Sequence, residues 1–143
     1  MTDLQLSAAQ TILGAALAEA RRLNLKPLVV VVLDSRGAVK AALAEDGTSL
    51  KRFEVAHGKA YGALALGMGS RAIAKRAVEQ PTFVAAVSHV VGGSLVPVPG
   101  GVLARGGDGR IVAAIGISGD TSDNDEACAK AGIEAAGLTA DTG

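Results

Sequence analysis

Two periods of apolar and polar residues alternate along this chain. Within residues 4–23, apolar side chains recur at Leu6, Ala9, Leu13, Ala16, Leu17 and Ala20, the spacing of an amphipathic helix. Thr2 or Asp3 is placed to cap it and Asn24 to end it. Leu28-Val29-Val30-Val31-Val32-Leu33 then forms an unbroken, mostly β-branched run, the pattern of a buried strand. Asp34-Ser35-Arg36-Gly37 is a turn signal, and Ala38 to Ala44 returns as a second strand, which predicts a hairpin. Glu45-Asp46-Gly47-Thr48 breaks that strand, and Thr48 or Ser49 is expected to cap a long helix from about Leu50 to Leu66.

Gly67-Met68-Gly69-Ser70 interrupts this helix, with Ser70 as the cap of a short successor through Val78. Pro81 begins another helical stretch toward Ser88. The prolines of Gly92-Gly93-Ser94-Leu95-Val96-Pro97-Val98-Pro99-Gly100-Gly101 confine it to an edge strand or extended loop. Val102–Arg105 and Arg110–Ser118 flank Gly106-Gly107-Asp108-Gly109, a second predicted hairpin. Ser122 to Ala136 reads as a final helix ended by Gly137. Helix, hairpin, helices, hairpin, helix is the order of an α+β fold rather than of a parallel βαβ one. A length of 143 residues predicts one domain over 1–143,.

Composition adds two constraints. The hydrophobic share is 49%, yet Phe53, Phe83 and Tyr61 are the only aromatics, so the core must be aliphatic. Glycine supplies 19 residues, about twice the usual share, which points to close packing of elements. A formal net charge of zero argues against an electrostatic nucleic-acid binder,, and together with many small apolar residues it favours self-association. No apolar run is long enough to span a bilayer, and no basic-then-apolar leader stands at the N-terminus. A cytoplasmic protein is the expectation. A single Cys128 excludes an internal disulfide,, and among small neighbours it reads as a buried thiol.

The chemistry concentrates on Arg52-Phe53-Glu54-Val55-Ala56-His57-Gly58-Lys59-Ala60-Tyr61. Arg52 and Lys59 fall on nearly one helix face and form a cationic station for a carboxylate or propionate, unless they are a solvated rim. His57 lies about 140° away around the helix, between Phe53 and Tyr61, with Glu54 in reach. It reads as an axial haem ligand, as a general base oriented by Glu54 or Tyr61, or as a hydrogen-bonded structural histidine. His89, before Gly92-Gly93, is a second candidate metal ligand, although two histidines without a third donor are a weak metal signal. Met68 is read as gap-filling rather than as a soft ligand. Gly67-Met68-Gly69-Ser70-Arg71-Ala72 imitates a dinucleotide fingerprint but follows a helix, so that reading fails. At Gly116-Ile117-Ser118-Gly119-Asp120 a strand leads into a helix whose acidic start would repel phosphate, so a self-capped helix is expected there.

Taken in order, Gly58-Lys59-Ala60, the break near Gly67, Pro97-Val98-Pro99-Gly100-Gly101-Val102, the run Asp108 to Gly119, Asp125-Glu126 and Ala131-Gly132 resemble the GlcG/HbpS-like family, which includes the C-terminal domain of PduO-type proteins. The likeness runs from about residue 4 to 137. It implies a profilin-like fold with an antiparallel sheet of about five strands, homo-oligomers and, in some members, haem binding. Members that ligate haem through a histidine of the first helix have no counterpart here, because residues 1–56 contain none.

Two functions remain open on this reading, beside a third in which the chain is an oligomeric accessory protein of a catabolic pathway without chemistry of its own. One is an oligomeric small-ligand-binding protein, with haem as the candidate cofactor, His57 or His89 on the iron, and Arg52 or Lys59 on the propionates. The other is a cofactor-independent isomerase, lyase or hydrolase for a small carboxylated catabolic intermediate. In that case His57, Glu54 and Tyr61 would handle a proton, Arg52 and Lys59 would anchor the anion, and the Gly100 and Gly101 amides would stabilise an oxyanion.

Overall fold

The computed structural model describes residues 3–143; the proposed Thr2 cap lies outside them. The elements are α1 (Leu6–Arg22), β1 (Val29–Asp34), β2 (Val39–Ala44), α2 (Arg52–Leu66), α3 (Ser70–Glu79), α4 (Pro81–Val90), β3 (Gly101–Arg105), β4 (Ile111–Ser118), α5 (Ser122–Ala135) and β5 (Thr139–Asp141). The sheet has five strands in the order β2-β1-β4-β3-β5, with every neighbouring pair antiparallel. This is the expected α+β architecture. Both predicted hairpins form, and β5 adds a short edge strand.

Strand β1 is buried along its whole length because the sheet is covered on both sides. Val30 and Val32 face a cluster with Ile115, Ile117, Val102 and residues of α1 and α5. Val29, Val31 and Leu33 face the other way, against Ala56, Ala60 and Ala63 of α2. The two-residue period of a strand divides the run of valines between two aliphatic half-cores. Helices α3 and α4 form a third cluster around Ile73, Val84 and Leu95, and Met68 packs there as a filler.

Helix α2 lies on the sheet at a distance that only glycine permits. A Cβ on Gly116 would overlap the Ala56 carbonyl oxygen, and one on Gly101 would overlap the Lys59 carbonyl. On its outer side the same helix is covered by the segment before β3. There a Cβ on Gly58 would lie 2.7 Å from Val96 Cγ2, and one on Gly62 3.2 Å from the Leu95 Cα. Four of the 19 glycines thus sandwich one helix between sheet and loop.

Several predicted caps are corrected. Asp3 accepts from the backbone and hydroxyl of Ser35 and so ties the chain start to the β1–β2 turn; α1 starts after Gln5 without a side-chain cap. Thr48 Oγ1 donates to the Glu45 carbonyl and Ser49 Oγ accepts from Arg52, so neither caps α2. Ser70 is buried and serves β3 instead. Leu6, assigned to the buried stripe of α1, is 52% exposed, whereas Ile12 is fully buried. The tertiary partner of α1, helix α5, sets that register: the Ile12 carbonyl lies against Gly132.

Gly116→Ala is expected to destabilise the protein by at least about 1–3 kcal/mol, the usual cost of overpacking. Gly14→Ala, in an exposed helix interior with nothing near its Cβ position, should stabilise it by about 0.5–1 kcal/mol. Urea denaturation of the two variants checks both signs.

Candidate functional site

The polar residues of α2 diverge to three destinations. Lys59 turns inward. Its side chain is 3% exposed, and its Nζ donates to the Ile117 carbonyl at 2.9 Å and pairs with Asp125 Oδ2 at 3.2 Å. Asp125 belongs to α5, on the opposite side of the sheet, so the pair clasps both helical layers around the end of β4. Asp125 Oδ1 also accepts the Asp120 backbone N–H. Burial lowers the Lys59 pKa against the opposing pull of Asp125. Burial likewise raises that of Asp125 against the pull of Lys59. Lys59 therefore does not stand beside Arg52 on an open face; its ammonium is already partnered.

At the Gly100-Gly101 turn the second amide is likewise engaged. The Gly101 N–H donates to Ser70 Oγ at 2.7 Å, and the Gly100 carbonyl accepts from Ile117. Both glycines are buried against Lys59. The geometry makes this turn a packing element rather than an open pair of donors.

His57 stands half-buried between two rings, 5.9 Å from the Phe53 centroid and 5.4 Å from that of Tyr61. Glu54 is exposed and pairs with Lys51 at 3.8 Å. Among the described residues no hydrogen bond joins Glu54 or Tyr61 to the imidazole. The predicted aromatic flanks are present; the orienting carboxylate is turned elsewhere.

Arg52 takes a third direction. Its Nε donates to Ser49 Oγ and its Nη1 to Ser118 Oγ, both at 3.1 Å. It lines a hollow together with Lys26 and Gly119.

His89 lies apart from these, exposed near the end of α4. It opens onto a recess of about 500 Å³ whose other walls are Ala85, Ser88, Gly92 and Gly93. Nothing lies within 4 Å of a Cβ position on Gly92 or Gly93, so the space beside the imidazole is free. Apolar side chains on α3 and α4 remain uncovered: Val78 is 84% exposed, Val90 82% and Phe83 44%. Arg76 stacks over the Phe83 ring at 5.4 Å. Among the described residues no cluster of three His, Cys, Asp or Glu side chains could hold a bare metal ion. Cys128 is buried, and desolvation pushes its thiol up to about 11, which keeps it protonated and inert.

The acidic start of α5 is fully employed. Thr121 caps the helix by accepting from the Asn124 N–H, as a self-capped helix requires. Asp123 and Glu126 pair with Arg71 and bind α3 to α5. Asp120 accepts from the Asn124 amide and from the backbone of Lys26 and Thr121, which hold its pKa down to about 2. Asp125, Ser70 and Lys26 were not singled out as site residues from the sequence. Their hydrogen-bond partners, Lys59, Gly101 and Asp120, lie 66, 31 and 94 positions away, beyond any local pattern.

With this geometry in hand, the family can be assigned. The profile of the haem degrading protein HbpS-like family matches residues 4–134, and the chain belongs to that family. Among solved structures, a PduOC–haem complex superposes with a TM-score of 0.85 at 24% identity, covering 96% of this chain and 97% of that one. HbpS, crystallised from Streptomyces reticuli as a double mutant, gives 0.81 at 28% identity over 94% and 87% of the two chains. The Klebsiella pneumoniae protein ORFY gives 0.84 at 21% identity over 96% and 93%. No functionally curated protein matches the chain. No helix among the described residues is long and apolar enough to cross a membrane.

Replacing Lys59 by Met should cost about 3–5 kcal/mol by leaving a buried carboxylate unpaired, and adding Asp125→Asn should recover part of that loss; a double-mutant cycle in urea measures the coupling. The depressed pKa of Asp120 acts in the acid range. Its contribution is complete above pH 3.8 and is lost as pH falls from there toward about 2,. Acid unfolding of Asp120→Ala should therefore show a shallower fall in stability across that window than the wild type.

Proposed function

We propose that this protein is a small-ligand-binding member of its family that takes haem or a related tetrapyrrole through His89, as a homo-oligomer. The observation that carries this reading is the exposed imidazole opening onto a recess of about 500 Å³ with small-residue walls. The donor chemistry suits the group: a neutral imidazole is a common axial ligand of haem iron. His57 offers the same nitrogens but stands between two aromatic rings, which leave less room for a macrocycle. A family described as haem degrading and a fold relative crystallised with haem support the choice of ligand class.

The chemistry such a group supplies when bound is that of its iron. This chain's part would be to present the His89 imidazole in a recess walled by small side chains, while Val78, Phe83 and Val90 of the same helical pair stay exposed. Exposed valines of this kind are better explained by a second copy closing over the recess than by solvent. The cofactor-independent enzyme reading draws less from the geometry: Lys59 and the Gly101 N–H are engaged internally, and Glu54 pairs with Lys51.

Titration with haemin tests the proposal. A sharp, saturable Soret band is expected for wild type and His57→Ala and should be lost in His89→Ala. A featureless, non-saturating response in wild type overturns the reading, and loss only in His57→Ala moves the ligand to α2.

A further inference from the structure

A second site stands on the chain, separate from the His89 recess. Two hollows of about 210 and 230 Å³ meet where the segment before β1, the turn before α2 and the turn after β4 converge. Both are lined by Lys26, Arg52 and Gly119. Arg21, Arg22, Arg36, Arg71 and Arg105 each pair with a carboxylate. Arg52 does not. Two neutral hydroxyls, Ser49 Oγ and Ser118 Oγ, fix its guanidinium, and three of its five N–H donors remain free. Ser118 is itself buried, so the guanidinium is braced from beneath and its charge left uncompensated. Lys26 likewise has no carboxylate within ion-pairing distance of its ammonium among the described residues.

We propose that Arg52, Lys26 and Ser49 form a binding site for a small monocarboxylate. Four observations set the ligand class. The site carries the charges of Lys26 and Arg52 against that of Asp120 on its far wall, which leaves one net positive charge, balanced by a monoanion. Asp120 cannot be recruited as a donor, because its oxygens already accept from the Lys26 and Thr121 backbone and the Asn124 amide. Ser49 accepts from Arg52, which frees its own hydroxyl hydrogen to donate to a second carboxylate oxygen. A lobe of about 210 Å³ holds roughly seven waters at about 30 Å³ each, room for a short-chain acid. Arginine suits a planar carboxylate better than a point-charge cation does, because its N–H groups match the two oxygens.

The test is an amide-resolved NMR titration of the full chain with sodium acetate, with chloride exchanged to hold ionic strength constant. Saturable shifts are expected at the Thr48, Ser49, Gly119 and Thr121 amides. Arg52→Gln should weaken binding about ten- to hundredfold. Lys26→Gln, an exposed change that leaves the fold intact, should weaken it severalfold. The same titration on His89→Ala should match wild type, so failure of the haem reading and failure of this one are separable. Absence of saturable shifts at those amides, or unchanged affinity in Lys26→Gln and a folded Arg52→Gln, overturns the site. Tighter binding of succinate or inorganic phosphate than of acetate at pH 8 overturns the monoanion assignment.

Discussion

Helix α2 rests on the sheet backbone to backbone, and most of the molecule follows from that contact. Gly101 and Gly116 remove the side chains that would hold the helix off, and Ala56, Ala60 and Ala63 fill the interface with the smallest apolar groups available. At that separation the Lys59 side chain is long enough to pass the end of β4 and reach Asp125 on α5. A larger residue at either glycine would lift α2 and draw the ammonium away from its carboxylate. The close approach and the buried ion pair are thus one constraint: the first sets the distance, and the second links two helices that lie on opposite faces of the sheet. A buried pair of this kind is weak evidence for stability and better evidence for uniqueness of arrangement.

The same constraint decides what remains for function. Residues that look like ligand groups in a list, Lys59 and the Gly100-Gly101 turn, are consumed in holding the layers together. Those left over are at the periphery: His89 on α4, His57 between its two rings, and Arg52 braced by serine hydroxyls. Helix α4 buries only Val84 and makes its main packing contact with α3, so it offers an apolar surface without a partner in the monomer. Among the motifs that carry the family resemblance, Lys59, Gly101 and Asp125 are engaged in holding the layers together, and such residues convey fold more firmly than reaction.

Much of the architecture was legible in the sequence. The valine run, the turn at Asp34 to Gly37 and the second hairpin around Gly106 to Gly109 have local causes, and all of them form. Asp34 shows how local: its carboxylate accepts the Arg36 and Ala38 amides of its own turn. The helix caps were read less well. Ser and Thr residues before α2 and α3 satisfy statistical preference, but tertiary neighbours claimed their hydroxyls first, as with Ser70 and the Gly101 N–H. For the site, the sequence located the polar cluster on α2 and both histidines. It left open which side chains were free and paired Arg52 with Lys59 on helical geometry alone.

The sequence by itself determined the elements, their order, the aliphatic core and the need for close approach, because periodicity, turn chemistry and side-chain volume act between near neighbours. Only the tertiary structure decided which charges cancel. Lys59 and Asp125 are 66 positions apart, and no pattern of spacing tells a lysine whether its partner is solvent, a ligand or a carboxylate on another helix. That choice depends on the desolvation and distance set by the packed layers, and it sent Lys59 inward and left Arg52 beside Lys26 at the surface.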